Sequence, residues 1–478
     1  MNVILKNCNE KYAVCEMVNA YLPKRKIEIH TQPCTGDCLT VEVNGNERDG
    51  YEYFAKLKLD GKSVQSTYKS GEYNKTHIKR VISNCFEKIL LITLPWGLLT
   101  GIRPAKIVRE MHLSGKNYNE IYNYFCDFYC ARDDKAKLSI EVAKAQAPII
   151  NAMSPNSVSV YIGIPFCPTR CLYCSFTSQS VKFSSKLVEP YKNALIKEID
   201  VISGLIKKSG KNIETVYIGG GTPTSLNEDN LYKLLYNTVN KFDFSHIREF
   251  TVEAGRPDTI TQQKLDIMKH FGVDRISINP QSMNPETLKI IGRCHTPEDI
   301  IKTFEIAKNT GFTHINTDLI AGLPGETIDD FKYTLSQIEK LNPSSVTVHT
   351  MSIKHGSYLD MNYSMYTKTA SDTVSGMLSE AGSLMRKMGK HPYYLYRQKN
   401  MLANLENVGY CTNGGECLYN IYIMDEVQSI VALGAGGSSK LIDGERIERA
   451  FNVKEVSEYI KRIDEMIERK TKLFGFDM

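Results

Sequence analysis

The sequence predicts an α/β protein: a partial barrel of six βα units, with an N-terminal α+β domain before it and a C-terminal α+β extension after it. Three observations predict it. From Val158 to Ser352, β-branched apolar runs alternate with amphipathic segments. Before that stretch, short runs alternate apolar and polar residues. After about Asn362 the strand–helix alternation stops. The expected domains are therefore 1–150, 151–362 and 363–478, and 478 residues suffice for two or three domains with a large core.

In the first block, Leu39–Val43 and Tyr51–Leu59 read as half-exposed antiparallel strands, with turn chemistry at Asn44-Gly45 and Asp60-Gly61. From Lys75 to Leu94 the apolar period becomes helical, with Ile78, Val81, Ile82, Cys85, Ile89 and Leu90 on one face. A segment with the only Trp, Trp96, precedes helices from Pro104 to about Gln146. Arg103 and Lys106 read best as residues of a helix start.

The barrel strands are expected at 158–164, Thr215–Gly219, Glu249–Ala254, Arg275–Asn279, His314–Ile320 and Ser345–Met351. Amphipathic helices alternate with them at Leu187–Lys207, Glu228–Asn240, Ile260–His270, Glu298–Asn309 and Thr327–Leu341. Right-handed crossovers curl such a sheet into a barrel or part of one, with reactive residues at the C-terminal strand ends. Ala370–Gly389 reads as a helix, Tyr393–Met401 opens the tail, and Val453–Lys470 is a charged closing helix.

A net charge of +5 fits an acidic small molecule or an acidic redox partner, and the basic residues form no stripe with aromatics that would suit nucleic acid. No apolar run reaches membrane-spanning length, and Met1–Tyr12 lacks the pattern of a secretory leader. The thirteen cysteines are therefore expected reduced and the protein cytoplasmic. Cys34/Cys38 and Cys126/Cys130 read as small buried hydrophobes.

The chemistry gathers at the strand ends. After the first barrel strand, Pro165 opens a loop with Cys167, Cys171 and Cys174 in C-x3-C-x2-C spacing. Four thiolates would close a cubane cluster; three leave one iron open for an exchangeable ligand. Zinc sites draw on separated C-x2-C pairs, and no second pair follows. The second strand ends in Gly219-Gly-Gly-Thr-Pro223, where glycines admit a ligand close to the backbone and leave N–H groups for a carboxylate. Glu253 ends the third strand, as an ammonium or ribose ligand or as a partner of Arg256. Gln281, Arg293 and Asp318 offer hydroxyl and carboxylate recognition, and Asp318 stands inside an apolar strand where only a paired carboxylate is tolerated. His295 reads as a hydrogen-bonded structural residue in preference to a proton carrier.

The cysteine spacing after a strand resembles the signature of radical S-adenosylmethionine (SAM) enzymes. With the motifs above, the chain resembles the oxygen-independent coproporphyrinogen III oxidase (HemN-like) family from Val158 to about Ile353, and more loosely in the tail. The N-terminal block, Pro95-Trp-Gly and Tyr393-Tyr-Leu-Tyr-Arg-Gln-Lys-Asn resemble its HemZ-type coproporphyrinogen dehydrogenase branch. The resemblance implies that Cys167, Cys171 and Cys174 hold a [4Fe-4S] cluster whose fourth iron is chelated by SAM. It implies a catalytic, cluster-side role for Tyr161 and an adenine contact at the backbone of Tyr173. It implies contacts to one or two SAM molecules from Gly220, Gly221, Thr222, Glu253, Gln281, Arg293, Asp318 and Ser352. One position departs: Gly163 stands where characterised oxidases carry His.

The implied reaction is oxidative decarboxylation of two propionates of coproporphyrinogen III to vinyl groups, giving protoporphyrinogen IX. A flavodoxin- or ferredoxin-type carrier would supply electrons. Arg256, Arg397 and Lys399 are expected to receive the anionic tetrapyrrole. Three other readings stay open: a different radical SAM reaction on a tetrapyrrole such as haem methylation with ring opening, a non-enzymatic haem chaperone, and a zinc-bound structural protein.

Overall fold

A computed structural model describes residues 1–475, except 24, 33, 102, 177, 354–356, 362–370, 398–400 and 402–403. Lys399 and the expected boundary at 362–363 lie outside the described residues. The chain forms two compact units, Met1–Glu141 with Arg397–Glu406, and Val142–Tyr396 with Asn407–Met478. Dividing the second into a barrel domain and a C-terminal domain is a proposal drawn from strand topology.

In the first unit β1 (Asn2–Lys6), β2 (Glu28–His30), β3 (Cys38–Asn46), β4 (Gly50–Leu59) and β5 (Lys62–Ser70) form one sheet in the order β2-β1-β3-β4-β5. The β3–β4 and β4–β5 pairs are antiparallel, and Asp60 and Gly61 make the second turn with positive φ. The turn expected at Asn44-Gly45 lies further on. Gly45 pairs with Tyr51 inside the ladder, and the Asn46 side chain caps the actual turn by accepting from the N–H groups of Arg48 and Asp49. Helices Lys11–Tyr21 and Lys75–Leu90 bury Val14, Val18, Ile78, Val81, Ile82 and Phe86 against Leu39, Val41, Tyr53 and Leu57. The second helix stops short of the expected Leu94 because Leu91 adopts a left-handed conformation. Beyond Pro104 the helical stretch is broken into Pro104–Leu113, Tyr118–Asn123, a widened turn at Tyr124–Phe128, and Asp133–Asn151.

The tail returns to complete this unit. Glu406 accepts from the Trp96 indole (2.8 Å) and the Lys135 ammonium (2.5 Å), all three buried. Arg397 lies over the Trp96 ring, 5.1 Å to its centroid, and donates to the carbonyls of Leu99 and Gly101 and to the Asn404 side chain. It is therefore consumed in holding this unit together and does not serve a substrate pocket, contrary to expectation. Cys34, Cys38, Cys126 and Cys130 are half-buried, so their reading as buried hydrophobes also needs correction.

In the second unit the six barrel strands are β6 (Ser157–Ile164), β9 (Asn212–Gly220), β10 (Glu249–Gly255), β11 (Arg275–Ile278), β12 (His314–Ala321) and β13 (Ser345–Thr350). Between β6 and β9 lies a short pair, β7 (Phe166–Cys167) and β8 (Gln179–Ser180). The six are parallel and adjacent in chain order, as the right-handed crossover rule requires. The chain's last third extends the same sheet at both edges. At one edge β15 (Asn407–Cys411) runs antiparallel to β13 and carries β14 (His391–Tyr396). At the other, β16 (Ser429–Leu433) runs parallel to β6, followed by β17 (Ser438–Asp443) and β18 (Arg446–Phe451).

A buried carboxylate fixes that second edge. Glu198 accepts from Gly434 N, the Asn452 side chain, Tyr459 Oη and Lys470 Nζ at 2.6–3.0 Å. Four donors and one countercharge satisfy an ion that would otherwise be too costly to bury. The Tyr191 hydroxyl donates to the Gly163 carbonyl at 2.6 Å and accepts from Ala435 N at 3.0 Å, so residues 434–435 cross β6 at Gly163. A Cβ added at Gly163 would stand 3.4–3.5 Å from its neighbours, an ordinary contact.

Candidate functional site

β6 ends at Ile164, and the loop that follows is tied to the end of β9 by backbone bonds. Gly221 N donates to the Ile164 carbonyl (2.8 Å) and Thr222 N to the Phe166 carbonyl (2.7 Å). These two N–H groups are therefore spent on the cysteine loop and its strand, while Gly220 N donates to the Glu253 carboxylate (3.3 Å). The glycines of this run are needed for close packing. A Cβ on Gly221 would fall 2.5 Å from the Phe166 carbonyl oxygen and 3.0 Å from Cys167 Sγ.

Cys171 is buried and Cys167 and Cys174 are half-buried. Burial pushes the thiols of Cys167 and Cys174 upward; Cys171 adds to both, and Cys167 adds to Cys174. Thr222 Oγ1 lies 3.5 Å from Cys167 Sγ. Arg256 holds the loop from the far side. It forks onto Asp258 (2.9 and 2.8 Å) and donates to the Thr169 carbonyl and hydroxyl (3.1 and 2.8 Å), with Cys171 Sγ 4.0 Å away. Arg256 is thus neither the partner of Glu253 nor a free substrate ligand, because its donors are already spent.

These three thiols fit a cluster better than a single ion. Among the described residues, only His391, Cys411 and Glu416 bring three ligand atoms within 4.8 Å of one another, so the loop sulfurs are spread more widely than mononuclear coordination needs. Desolvated thiols ionise readily only beside a bound cationic group, and the loop supplies no fourth thiolate.

The inward side chains of β9 to β13 face the same end. Glu253 accepts from Tyr217 Oη (2.5 Å) and from Gly220 N (3.3 Å). Burial raises its carboxyl to about 7; the Tyr217 hydrogen bond opposes this and the Asp318 charge adds to it. Asp318 is pulled the other way. Burial acts against ionisation, yet the neighbouring His349 and the hydrogen bond from Asn316 hold it below the usual carboxylate range. Asn316 Nδ2 stands 2.7 Å from Asp318, and His349 Nε2 3.7 Å. Gln281 takes a positive φ of 69°, bridges to Leu319 and is buried. Arg293 donates to the Tyr173 hydroxyl (3.1 Å) and the Asn279 carbonyl (3.3 Å). Tyr161 lies in the barrel, stacked 6.2 Å from Tyr217 and 6.1 Å from Tyr419. Ser352, just past β13, is half-buried.

His295 does not make the hydrogen bonds expected of it. It is buried, neither ring nitrogen has a partner among the described residues, and burial beside Arg293 pulls its pKa down to about 4. The residues that sequence reasoning missed are Tyr217, Tyr419, His349 and Tyr396, the last paired to His349 at 3.2 Å. For Tyr217 and His349 a signal existed: each is an inward position of a strand on the same period of two as the residues that were found.

Two desolvated carboxyls set a pH dependence. Glu253 is raised to about 7, and so is Glu326, where burial outweighs the Ser282 hydrogen bond and leaves Oε2 without a partner. A folded carboxyl raised above its unfolded value holds protons that the unfolded chain has released. Stability of the cofactor-free chain should therefore be full below about pH 4.5 as far as these groups are concerned, and fall as pH rises to about 7. Glu326→Gln is expected to flatten that slope by roughly 2 kcal/mol, read from urea midpoints at pH 5 and pH 8. An unchanged slope would refute the assignment.

Residues 161–338 match the model of the Radical SAM superfamily. The chain is 41% identical over 403 residues, 83% of it and 80% of the relative, to the oxygen-independent coproporphyrinogen-III oxidase-like protein HemZ of Bacillus subtilis. It is 38% identical over 198 residues, 41% of it, to the heme chaperone HemW of the same organism, and that match spans about half (51%) of HemW. Among solved structures, coproporphyrinogen III oxidase (HemN) from Escherichia coli, described as a radical SAM enzyme, superposes with a TM-score of 0.52 at 22% identity, covering 68% of this chain and 73% of that one. That likeness establishes the fold, a radical SAM partial barrel with added domains.

Proposed function

Because the chain belongs to the oxygen-independent coproporphyrinogen-III oxidase-like family of radical SAM proteins, we propose that it decarboxylates two propionates of coproporphyrinogen III to vinyl groups, giving protoporphyrinogen IX. The observation that carries the reading is the meeting of three desolvated thiols, with no fourth cysteine in their loop, and the inward set Glu253, Gln281, Arg293 and Asp318 at one end of the barrel. In this reading Cys167, Cys171 and Cys174 hold a [4Fe-4S] cluster. Tyr161, Tyr173, Gly220, Gly221, Thr222, Glu253, Gln281, Arg293, Asp318 and Ser352 hold one or two SAM molecules. Cluster and SAM, when bound, supply hydrogen-atom abstraction from the carbon β to the porphyrin ring's propionate carboxyl.

The chain's own residues do the positioning. Asp318, kept ionised, accepts from hydroxyls, while Glu253, titrating near neutrality, can present either a proton or a charge to an ammonium group. Arg293 offers its fork to a carboxylate from a site already aligned by Tyr173 and Asn279. The rings of Tyr161, Tyr217 and Tyr419 form an apolar wall that limits water at a reactive centre. Each propionate, counted as its acid, would thus give up one hydrogen atom, CO2, one proton and one electron, the electron passing to a one-electron acceptor, and a flavodoxin- or ferredoxin-type carrier is the expected reductant.

The test is anaerobic incubation of cluster-reconstituted protein with dithionite, SAM and coproporphyrinogen III, read by product mass. Two successive losses of CO2 with two hydrogens, abolished by Cys171→Ala, support the reading. Deoxyadenosine with unchanged porphyrinogen would overturn it. The match to HemW favours a second reading, heme binding without turnover; stoichiometric heme uptake with neither product would select it.

A further inference from the structure

We propose that His391, Cys411 and Glu416 form a zinc site at the barrel end opposite the cysteine loop. The three ligand atoms lie within 4.8 Å of one another, the only such group among the described residues. Cys411 Sγ stands 3.8 Å from His391 Nε2, which stands 3.1 Å from Glu416 Oε1. A tetrahedral zinc with ordinary Zn–S, Zn–N and Zn–O bonds spaces sulfur and nitrogen by about 3.5 Å, and nitrogen and oxygen by about 3.3 Å. Two of the three spacings already stand near the edges of that tetrahedron, and the third is within 4.8 Å.

Their placement is fixed by the backbone. His391 and Cys411 are directly paired across β14 and β15, and Cys411 also faces Ser345, the first residue of β13. The site therefore sits at the N-terminal ends of the barrel strands. Arg275 donates to the carbonyls of Gly415 and Glu416 at 2.9 and 2.8 Å, and Gly415 N donates to the Thr412 carbonyl, which turns Glu416 back onto the pair. Cys411 is buried, whereas His391 and Glu416 are part-exposed, leaving a side from which an ion enters and a water completes the fourth position.

The charges suit a divalent ion. One thiolate and one carboxylate neutralise Zn2+, so the loaded site carries no net charge into a region where Arg275 and Lys390 are already buried. A thiolate, an imidazole and a carboxylate with one open position favour zinc over magnesium or calcium, which take oxygen ligands. Sitting at the N-terminal barrel face, the ion would clamp β14 to β15 and take no part in the chemistry at the other end.

The test uses the full chain with its cluster reconstituted, dialysed against a weak chelator and analysed for zinc and iron together. About one zinc per chain is expected, lost at least tenfold in Cys411→Ser and in Glu416→Gln while iron is unchanged. The chain carrying Cys167→Ala, Cys171→Ala and Cys174→Ala must lose iron and keep its zinc, which separates this site from zinc captured by an empty cysteine loop. Glu416→Gln guards against a Cys411 variant that fails to fold, since Glu416 is only part-buried. Zinc that leaves with the triple cysteine variant, or that persists in Glu416→Gln and Cys411→Ser, would overturn the proposal, as would a wild-type chain without zinc.

Discussion

Gly221→Ala is expected to strip the protein of its cluster, lowering bound iron at least tenfold after reconstitution, while the cofactor-free chain still folds with a thermal midpoint lowered by only a few degrees. The added methyl would stand 2.5 Å from the Phe166 carbonyl oxygen, 2.9 Å from its carbon and 3.0 Å from Cys167 Sγ. Two of those atoms are backbone, so no flexible side chain can yield. The strand end must move away from the loop instead. That movement strains the Gly221–Ile164 and Thr222–Phe166 bonds that set the first cysteine, at a cost of about 1–3 kcal/mol. A loss of that size in the loop need not unfold the barrel, but it misplaces Cys167, and a cluster held by three thiolates has no ligand to spare. Gly204→Ala is the control. It lies in helix Val181–Lys208 with nothing within 4 Å of the new methyl, so it should be neutral or slightly stabilising. Full iron and full turnover in Gly221→Ala would remove the close-packing argument.

The barrel was legible because its strands are buried on both faces, and such strands are short, nearly continuous apolar runs. Val158–Ile164 and Ser345–Met351 were found to within one residue for that reason. The edges were not legible. Ser429–Leu433 is as apolar as any barrel strand, but its place beside β6 depends on Gly434 and on the buried Glu198–Lys470 pair, contacts more than two hundred residues apart for which the sequence carries no register. The same divide runs through the site. Cysteine and an intrastrand aspartate announce themselves by chemical type, so Cys167, Cys171, Cys174 and Asp318 stood out as candidates. Tyrosine is ordinary in strands and helices alike, so Tyr419, on the helix Leu418–Asp425, carried no signal, and Tyr217 carried only the period of two of its strand. Positive charge misled outright. Arg256 and Arg397 read as hands for an anionic substrate, yet both are buried and engaged elsewhere, one on the cysteine loop and the other on Trp96.

The engagement of Arg256 makes its removal the second large effect. Arg256→Met keeps much of the side chain's volume and removes every donor. Asp258 then loses both arms of its fork, Thr169 loses two bonds, and the positive charge 4.0 Å from Cys171 Sγ disappears. Breaking one partner of a buried charge pair costs about 3–5 kcal/mol, here moderated because Asp258 is partly exposed. Thr169 lies between Cys167 and Cys171, so the damage falls on the spacing of the loop. Bound iron is expected to drop several-fold. The cluster that remains should have a more negative midpoint potential, since a cation near a cluster sulfur favours the reduced, more anionic state. Arg256→Lys separates the two contributions. A lysine can restore charge near the loop but cannot fork onto Asp258 while also reaching both oxygens of Thr169. It should recover the potential more fully than the iron content. Unchanged iron and potential in Arg256→Met would show that the loop holds its shape without the clamp. A potential that stays lowered in Arg256→Lys would mean that the fork, and the backbone it fixes, sets the electrostatics at Cys171 more than the charge does.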